Sequence, residues 1–165
     1  MKKSPTSGKG DLSESSVLRA FIKAGLVVSM PFGDGAPYDL IVDTGKRLLK
    51  VQVKTGRLRG GCVLFAAQRI NGHHGTKRYK YDEGEIDLFA VYCPDNEQIY
   101  LVPVLGDLAE GRLRIDATKN NQQQLIRWAK DFEFEIYLSD LRREEVELVG
   151  FEPTTSAMPL QRSSN

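Results

Sequence analysis

The chain of 165 residues has no long apolar run and very few cysteines. No stretch approaches the ~18 apolar residues of a membrane span, and no apolar segment follows the polar start at residues 1–5. A membrane span and an export signal are therefore not expected. We expect a cytoplasmic protein of a prokaryotic cell, an organelle or a phage-infected host. Cys62 and Cys93 lack CxxC spacing, which argues against a zinc site or a disulfide framework and predicts two buried thiols.

Acidic residues are absent from a long central block. Between Thr44 and Tyr81 there are ten Lys and Arg residues and no Asp or Glu. From Asp82 to Gly150 the balance reverses, with sixteen acids against seven bases, so the net charge of +1 conceals a strong segregation. A basic block of this length indicates a surface that faces a polyanion. The alternative is a chance run of charges on a solvated face.

The apolar pattern predicts one domain over residues 10–150, with a disordered arm (1–9) before it and a disordered tail (151–165) after it. A helix is predicted over 11–25, with Asp11 as its N-cap. Strands are predicted over 26–30, 38–43, 47–54, 62–68, 86–92 and 99–104. A helix over 120–132, a short strand over 134–138 and a short helix over 141–148 follow. This order predicts an α/β fold, a mixed central β-sheet flanked by helices.

The segments "YDLIVD" and "RLLKVQVK" are predicted to form a hairpin around Gly45. Alternation places Lys50, Gln52 and Lys54 on one face of the second strand. If the numbers of opposed residues sum to 89 or to 91, Asp39 lies on that same face. A carboxylate, an amide oxygen and an ammonium would then meet, and Mg²⁺ prefers oxygen ligands. The alternative is an exposed hairpin face with a harmless Asp–Lys pair, and geometry alone does not decide between them.

Glu14 stands three residues after Asp11, at the end of the apolar stripe formed by Val17, Leu18 and Phe21. An acid at that position is either solvated in the first turn, where the helix dipole favours it, or held against the core as a site residue. The spacing favours the first.

The order Glu14, then "PYD" at 37–39, then "QVK" at 52–54 resembles the PD-(D/E)XK nuclease motif. Residues 10–56 resemble the subgroup that contains Holliday junction resolvases and intron-encoded homing endonucleases. The later segments "YDEGEIDLFAVYCPD" and "IYLVPV" are similar to the intron-encoded branch, so the resemblance covers about residues 10–104. Two departures stand out: Gln52 replaces the usual acid, and Tyr38 separates Pro37 from Asp39. A PD-(D/Q)XK version occurs within the homing-endonuclease branch.

The resemblance implies a restriction-endonuclease-like core that hydrolyses DNA phosphodiester bonds with Mg²⁺, with Mn²⁺ able to substitute. Asp39 would be the principal metal ligand and Gln52 a second oxygen ligand. Lys54 would orient or activate the attacking water, and Glu14 would act through a second metal or an outer-shell water. Because glutamine is neutral, its presence should weaken metal affinity.

The basic residues that follow the site are candidates for phosphate contacts with duplex DNA: Arg57, Arg59, Arg69, Lys77, Arg78 and Lys80. The loop "RINGHHGTKRYKY" is the best candidate for entering a groove. One site per chain implies a homo-oligomer, a dimer or a tetramer, for cleavage of both strands. The tail "GFEPTTSAMPLQRSSN" resembles the translated end of a reading frame that runs into a tRNA gene, which makes a tRNA gene a plausible homing target.

Three functions follow from these patterns. The first is a sequence-specific endonuclease, the homing endonuclease of a mobile intron. The second is a Holliday junction resolvase, which would recognise junction shape rather than sequence. The third is a catalytically silent DNA-binding or assembly module that kept the fold.

Overall fold

The computed structural model describes residues 5–33, 35–70, 78–104, 109–117 and 125–149. Its elements, in chain order, are α1 (Pro5–Lys23), β1 (Val27–Ser29), β2 (Leu40–Asp43), β3 (Leu48–Thr55), β4 (Arg57–Arg59), β5 (Cys62–Ala66), β6 (Arg69–Ile70), β7 (Arg78–Tyr79), β8 (Leu88–Cys93), β9 (Gln98–Pro103), β10 (Glu110–Arg114), a 3₁₀ turn (Ala129–Phe132) and α2 (Phe134–Val149). The predicted tail, 151–165, lies outside the described residues. None of the described helices is long and apolar enough to cross a membrane.

Five strands form the central sheet, in the order β1-β2-β3-β8-β9. The first three are antiparallel neighbours, β3 and β8 run parallel, and β8 and β9 are again antiparallel. The sheet is therefore mixed, as predicted. The strand that contains "LLKVQVK" is its middle strand, paired on both sides rather than lying at an edge.

Apolar residues cover both faces of the central sheet. On one face, Val17 and Phe21 of α1 and Leu138 of α2 join a buried cluster with Val51 of β3. On the other face a second sheet, ordered β10-β5-β4, packs against the central one through residues such as Phe65, whose ring centroid lies 5.8 Å from that of Phe89. The fold thus has three layers: helices, central sheet and small sheet. Both cysteines are buried and unbridged, as predicted.

Helix α1 begins at Pro5, six residues before the predicted start. Residues 5–9, which the sequence assigns to a disordered arm over 1–9, belong to this helix. Gly8 and Gly10 disfavour a helix interior, which made Asp11 look like the N-cap. Proline is tolerated in a first turn because the first N–H groups have no partner within the helix. The end of the helix agrees better with the prediction, since Gly25 has a positive φ of 80° just beyond Lys23.

The C-terminal part corrects two further predictions. Residues 125–128 are not helical, and only the 3₁₀ turn falls within the described part of the helix expected over 120–132. The strand expected over 134–138 is the start of α2, which continues through the predicted helix 141–148. The alternating letters "FEFEI" suggested a strand, but Phe134, Leu138 and Leu141 are buried at helical spacing whereas Ile136 is 49% exposed.

The small sheet was only partly expected, because β4 and β10 are short and polar. Strand β10 pairs with β5 from Glu110↔Ala66 to Arg114↔Cys62. Gly111 makes this pairing possible, since a Cβ there would lie 2.0 Å from Cζ of Phe65. The close approach of a strand backbone to an aromatic ring therefore holds β10 against β5.

Candidate functional site

The predicted hairpin is present, and its register is one of the two expected. Leu40 pairs with Val51 and Val42 with Leu49, so opposed residue numbers sum to 91. The turn has Gly45 at a φ of 85°, a conformation that suits glycine. The paired residues end at Leu40, and just before them the Asp39 N–H donates to the carbonyl of Val51 over 3.0 Å. The Asp39 carboxylate accepts a hydrogen bond from Nε2 of Gln52, so the two side chains meet as the hairpin geometry predicts.

The Asp39 carboxylate is held by β3. Its Oδ2 accepts a 2.7 Å hydrogen bond from the Val53 N–H and a second, short one from Nε2 of Gln52. Burial raises the pKa of Asp39, and the Val53 N–H, the Lys54 charge and the Gln52 amide only partly oppose this. No hydrogen bond to Oδ1 is found among the described residues. One carboxylate oxygen is thus committed to the fold, and the other is available to a ligand.

Glu14 belongs to this cluster and is not a first-turn acid. Because α1 begins at Pro5, Glu14 lies in the helix interior, and it is half-buried. Burial raises its pKa, and the negative charges of Asp39 and then Asp11 raise it further. The adjacent Ser13 is buried and its hydroxyl lies 2.6 Å from that of Thr55, which joins α1 to β3 beside the site. The structure therefore brings Glu14 within electrostatic reach of Asp39, contrary to the solvated position that the spacing favoured.

Lys54 completes the cluster on the same face of β3. Its Nζ donates to the Gln68 carbonyl over 3.3 Å and to the Tyr81 hydroxyl over 2.9 Å. Burial lowers the pKa of Lys54, and the Asp39 carboxylate partly restores it. An ammonium with a depressed pKa beside partly buried carboxylates is typical of functional sites.

Lys50 shares that face but not the site. Its N–H donates to Asp87 Oδ2 over 2.6 Å, the Asp87 N–H donates back to the Lys50 carbonyl over 2.8 Å, and its Nζ donates to the Gly84 carbonyl. Asp87 therefore fixes the start of β8 beside β3. The Lys50 ammonium therefore binds the chain just before β8 rather than the Asp39 carboxylate.

The predicted phosphate-contact residues separate into three groups. Arg57 and Arg59 lie on β4 with exposed side chains, and Arg78 and Lys80 are exposed in and after β7. Arg69 is half-buried and forms a 3.2 Å ion pair with Glu85, which suggests a structural role. Lys77 lies outside the described residues, together with the rest of 71–77 in the loop expected to enter a groove.

Two further arginines join Arg57 and Arg59, and sequence reasoning missed them. Arg57 and Arg112 both pair with Leu64, while Arg59 and Arg114 both pair with Cys62. Directly opposed residues share a face, so four guanidinium groups lie on the outer face of the small sheet. We call this the arginine face. The alternation in "EGRLR" at 110–114 was the available signal, but it could not show which strand it would join.

A cavity links the arginine face to the cluster around Lys54. Its lining includes Thr55 and Gln68, which adjoin Lys54, together with Arg57, Arg78 and Glu110. Glu110 Oε2 lies 3.7 Å from Arg57 and its Oε1 lies 3.7 Å from Arg112, so one carboxylate tempers the positive charge there. We call Glu14, Asp39, Gln52 and Lys54 the β3 cluster. Polar and basic groups thus continue from the β3 cluster to the edge of the small sheet.

Comparison with known proteins agrees with this geometry. The model of the PD-(D/E)XK endonuclease family matches residues 4–135. The chain is also similar to the solved structure of a bacterial homing endonuclease, I-Ssp6803I, with a TM-score of 0.69 and 23% identity over 88% of this chain and 99% of that one. A search among curated proteins finds no match. The chain belongs to the PD-(D/E)XK endonuclease family and is a DNA endonuclease, which confirms the predicted resemblance and fold class.

Proposed function

We propose that the protein is a Mg²⁺-dependent, site-specific endonuclease of duplex DNA, the homing endonuclease of a mobile intron. One observation carries the catalytic part of this proposal: Asp39, Gln52 and Lys54 meet on one face of the central strand, with Glu14 beside them. Similarity to I-Ssp6803I supports the homing role, since that protein is described as a bacterial homing endonuclease.

The donor set fits a hard divalent cation. PD-(D/E)XK nucleases generally use divalent metals. Burial raises the pKa values of Asp39 and Glu14, and a cation bound between them would favour their ionised forms. No group of three or more His, Cys, Asp and Glu side chains that could hold a metal is found within the described part of the chain. A cation here would therefore depend on the amide oxygen of Gln52 as well as on carboxylates.

The Gln52 amide must turn to serve as a ligand. In the structure its Nε2 donates to Asp39 and, over 3.2 Å, to the Val53 carbonyl. A half-turn about the last torsion exchanges the amide nitrogen and oxygen with little change of shape. Oε1 would then join Asp39 Oδ1 as an oxygen ligand, and Glu14 would complete the set directly or through water.

The remaining groups would bind and orient the reactants. When bound, Mg²⁺ supplies Lewis-acid stabilisation of the phosphate charge and lowers the pKa of a bound water. Lys54 donates to the Gln68 carbonyl and the Tyr81 hydroxyl, and its third N–H, which has no acceptor in the described part of the chain, would orient the attacking water or a phosphate oxygen. Such preorganised donors stabilise the charge that develops during in-line attack.

The arginine face and Arg78 would bind the DNA backbone on either side of the cleaved bond. Arg57 and Arg112 are more than half exposed, so their charges are available to phosphates. The cavity that Arg57 and Arg78 share with Gln68 offers a continuous path from Lys54. One site per chain requires at least two copies to cut both strands, so we propose a homo-oligomer, a dimer or a tetramer. A tRNA gene remains the proposed target.

A cleavage assay tests the function. The protein would be incubated at a range of Mg²⁺ concentrations with three DNAs: linear DNA carrying the proposed target, a tRNA gene; a four-way junction; and random duplex. Cleavage of the linear target alone supports a site-specific enzyme, whereas preference for the junction would indicate a resolvase. Binding without cleavage of all three would indicate a silent module. Light scattering of the free protein and its DNA complex would give the number of copies.

A further inference from the structure

A tyrosine lies against the lysine of the proposed catalytic cluster. Tyr81 follows β7 and places its hydroxyl oxygen 2.9 Å from Nζ of Lys54. Its ring packs edge-on against Phe89, with centroids 5.5 Å apart, and Nζ of Lys54 lies 5.2 Å from the Tyr81 centroid. Because the ring rests on a core residue of β8, the hydroxyl is held in a fixed position beside Lys54.

The direction of this hydrogen bond leaves the phenol with an unused donor. Ammonium nitrogen only donates, so the Tyr81 oxygen is the acceptor. Within the described ranges, no acceptor is found for the hydroxyl hydrogen of Tyr81. Tyr81 is half-buried rather than enclosed, so this hydrogen can reach a ligand that enters beside Lys54.

The phenol stays protonated under working conditions. The pKa of Tyr81 is raised to about 12, mainly by burial and also by the Asp39 and Glu85 charges, which Arg69 partly opposes. The hydroxyl is therefore a hydrogen-bond donor throughout the neutral pH range.

We infer that Tyr81 is a further catalytic residue, whose hydroxyl donates a hydrogen bond to a non-bridging oxygen of the scissile phosphate. The inference depends on the proposed endonuclease function. Among the residues that the structure describes, one N–H of Lys54 and the O–H of Tyr81 have no acceptor, and these donors lie on atoms 2.9 Å apart. Two adjacent donors suit two oxygens of one phosphate, and they would stabilise the charge that develops on it. A purely structural Tyr81 would instead act only through ring packing and through the position of Lys54.

Tyr81→Phe separates these roles, because it keeps the ring and removes only the hydroxyl. Loss of one preorganised donor should slow single-turnover cleavage roughly 10²-fold. The dissociation constant for target DNA, measured without divalent metal, should change much less. The matched control is Tyr92→Phe, which removes the same group from a half-buried tyrosine packed against the helix-side core cluster and should cleave at the wild-type rate.

A sulfur substitution in the DNA provides the decisive measurement. Each non-bridging oxygen of the scissile phosphate is replaced by sulfur in turn, and both proteins are assayed on both isomers. If Tyr81 donates to one of these oxygens, sulfur at that oxygen should slow the wild type more than it slows Tyr81→Phe. The reason is that the sulfur and the tyrosine substitution remove the same hydrogen bond, so their effects are not additive. Additive effects at both isomers, or a Tyr81→Phe variant as fast as wild type, would overturn the inference and leave the endonuclease intact. If the wild-type protein cleaves none of the DNAs, both the role of Tyr81 and the proposed endonuclease function are excluded.

Discussion

The β3 cluster and the arginine face hold charge in opposite ways. At β3, two acids and one lysine are partly buried, and their pKa values are displaced by burial and by one another. On the small sheet, Arg57 and Arg112 are largely exposed to solvent, and each lies 3.7 Å from the carboxylate of Glu110. Buried charges interact strongly at short range, whereas exposed charges act weakly and are screened by salt. The first arrangement suits transition-state chemistry and the second suits DNA affinity.

The strongest test of this contrast removes one group from the β3 cluster. Asp39→Ala or Lys54→Ala should reduce cleavage by roughly 10²-fold or more, because the proposed mechanism assigns these groups to the transition state. Binding of target DNA should be largely retained. Cleavage rate and dissociation constant are measured for each variant, and circular dichroism checks the fold.

Lys50→Ala is the matched control, since Lys50 shares the strand and the face but donates to Gly84 instead. It should retain cleavage. If Lys50→Ala and Lys54→Ala lose activity equally, or if both Asp39 and Lys54 variants fail to fold, the cluster is structural.

Gln52 gives a sharper test because two substitutions should act in opposite directions. Gln52→Leu places an apolar group beside the proposed ion and should remove most activity. Gln52→Glu should retain cleavage and lower the Mg²⁺ concentration required, since a carboxylate is the stronger ligand. Cleavage rate is measured against Mg²⁺ concentration for all three proteins, and a leucine variant that matches wild type would exclude Gln52 as a ligand.

The structure adds a second readout for the same position. In Gln52→Glu, a carboxylate replaces the amide that donates to Asp39, so two negative charges would face each other. Its melting temperature should fall below that of wild type in EDTA and recover when Mg²⁺ is added, because a ligand of the folded state stabilises it. Equal recovery by wild type and variant would count against a metal at this position.

On the arginine face, single substitutions should have modest effects that add. Arg57→Ala and Arg112→Ala should each weaken DNA binding uniformly across sequences. Each should also make the negative slope of log K against log[salt] shallower, by about 0.9 per lost phosphate contact. Arg143→Ala is the control, because Arg143 lies on α2 and is paired with Asp140. A slope unchanged in the Arg57 and Arg112 variants, or lowered equally in the Arg143 variant, would show that this face does not bind phosphate.

The same two regions show what the sequence could and could not predict. The hairpin depends on local information, since a tight turn at Gly45 sets the register that brings Asp39 to Gln52. The arginine face depends on β10 pairing with β5, about 48 residues earlier in the chain, and no local pattern specifies that partner. The position of Glu14 depends in the same way on tertiary structure. Gly8 and Gly10 disfavour a helix interior, so the sequence predicts that Glu14 lies in the first turn, whereas α1 begins at Pro5 and Glu14 lies in its interior.

The smallest expected effect concerns the stability of the metal-free protein. Burial raises the pKa of Asp39 in the folded state, so folding favours the protonated form of the carboxyl group. The protonated carboxyl group therefore contributes to the free energy of unfolding at low pH, and this contribution is lost as pH rises through the folded-state pKa. Asp39→Asn keeps an oxygen acceptor for the Val53 N–H but carries no charge. In EDTA near pH 7 it should therefore be somewhat more stable than wild type, with the gap closing as pH falls toward the ordinary value of 3.8. Urea unfolding of both proteins across that range measures the difference. A gap that stays constant with pH, or a less stable Asn variant at pH 7, would mean that the carboxylate contributes to the fold and that the charge at the β3 cluster is already balanced without a metal.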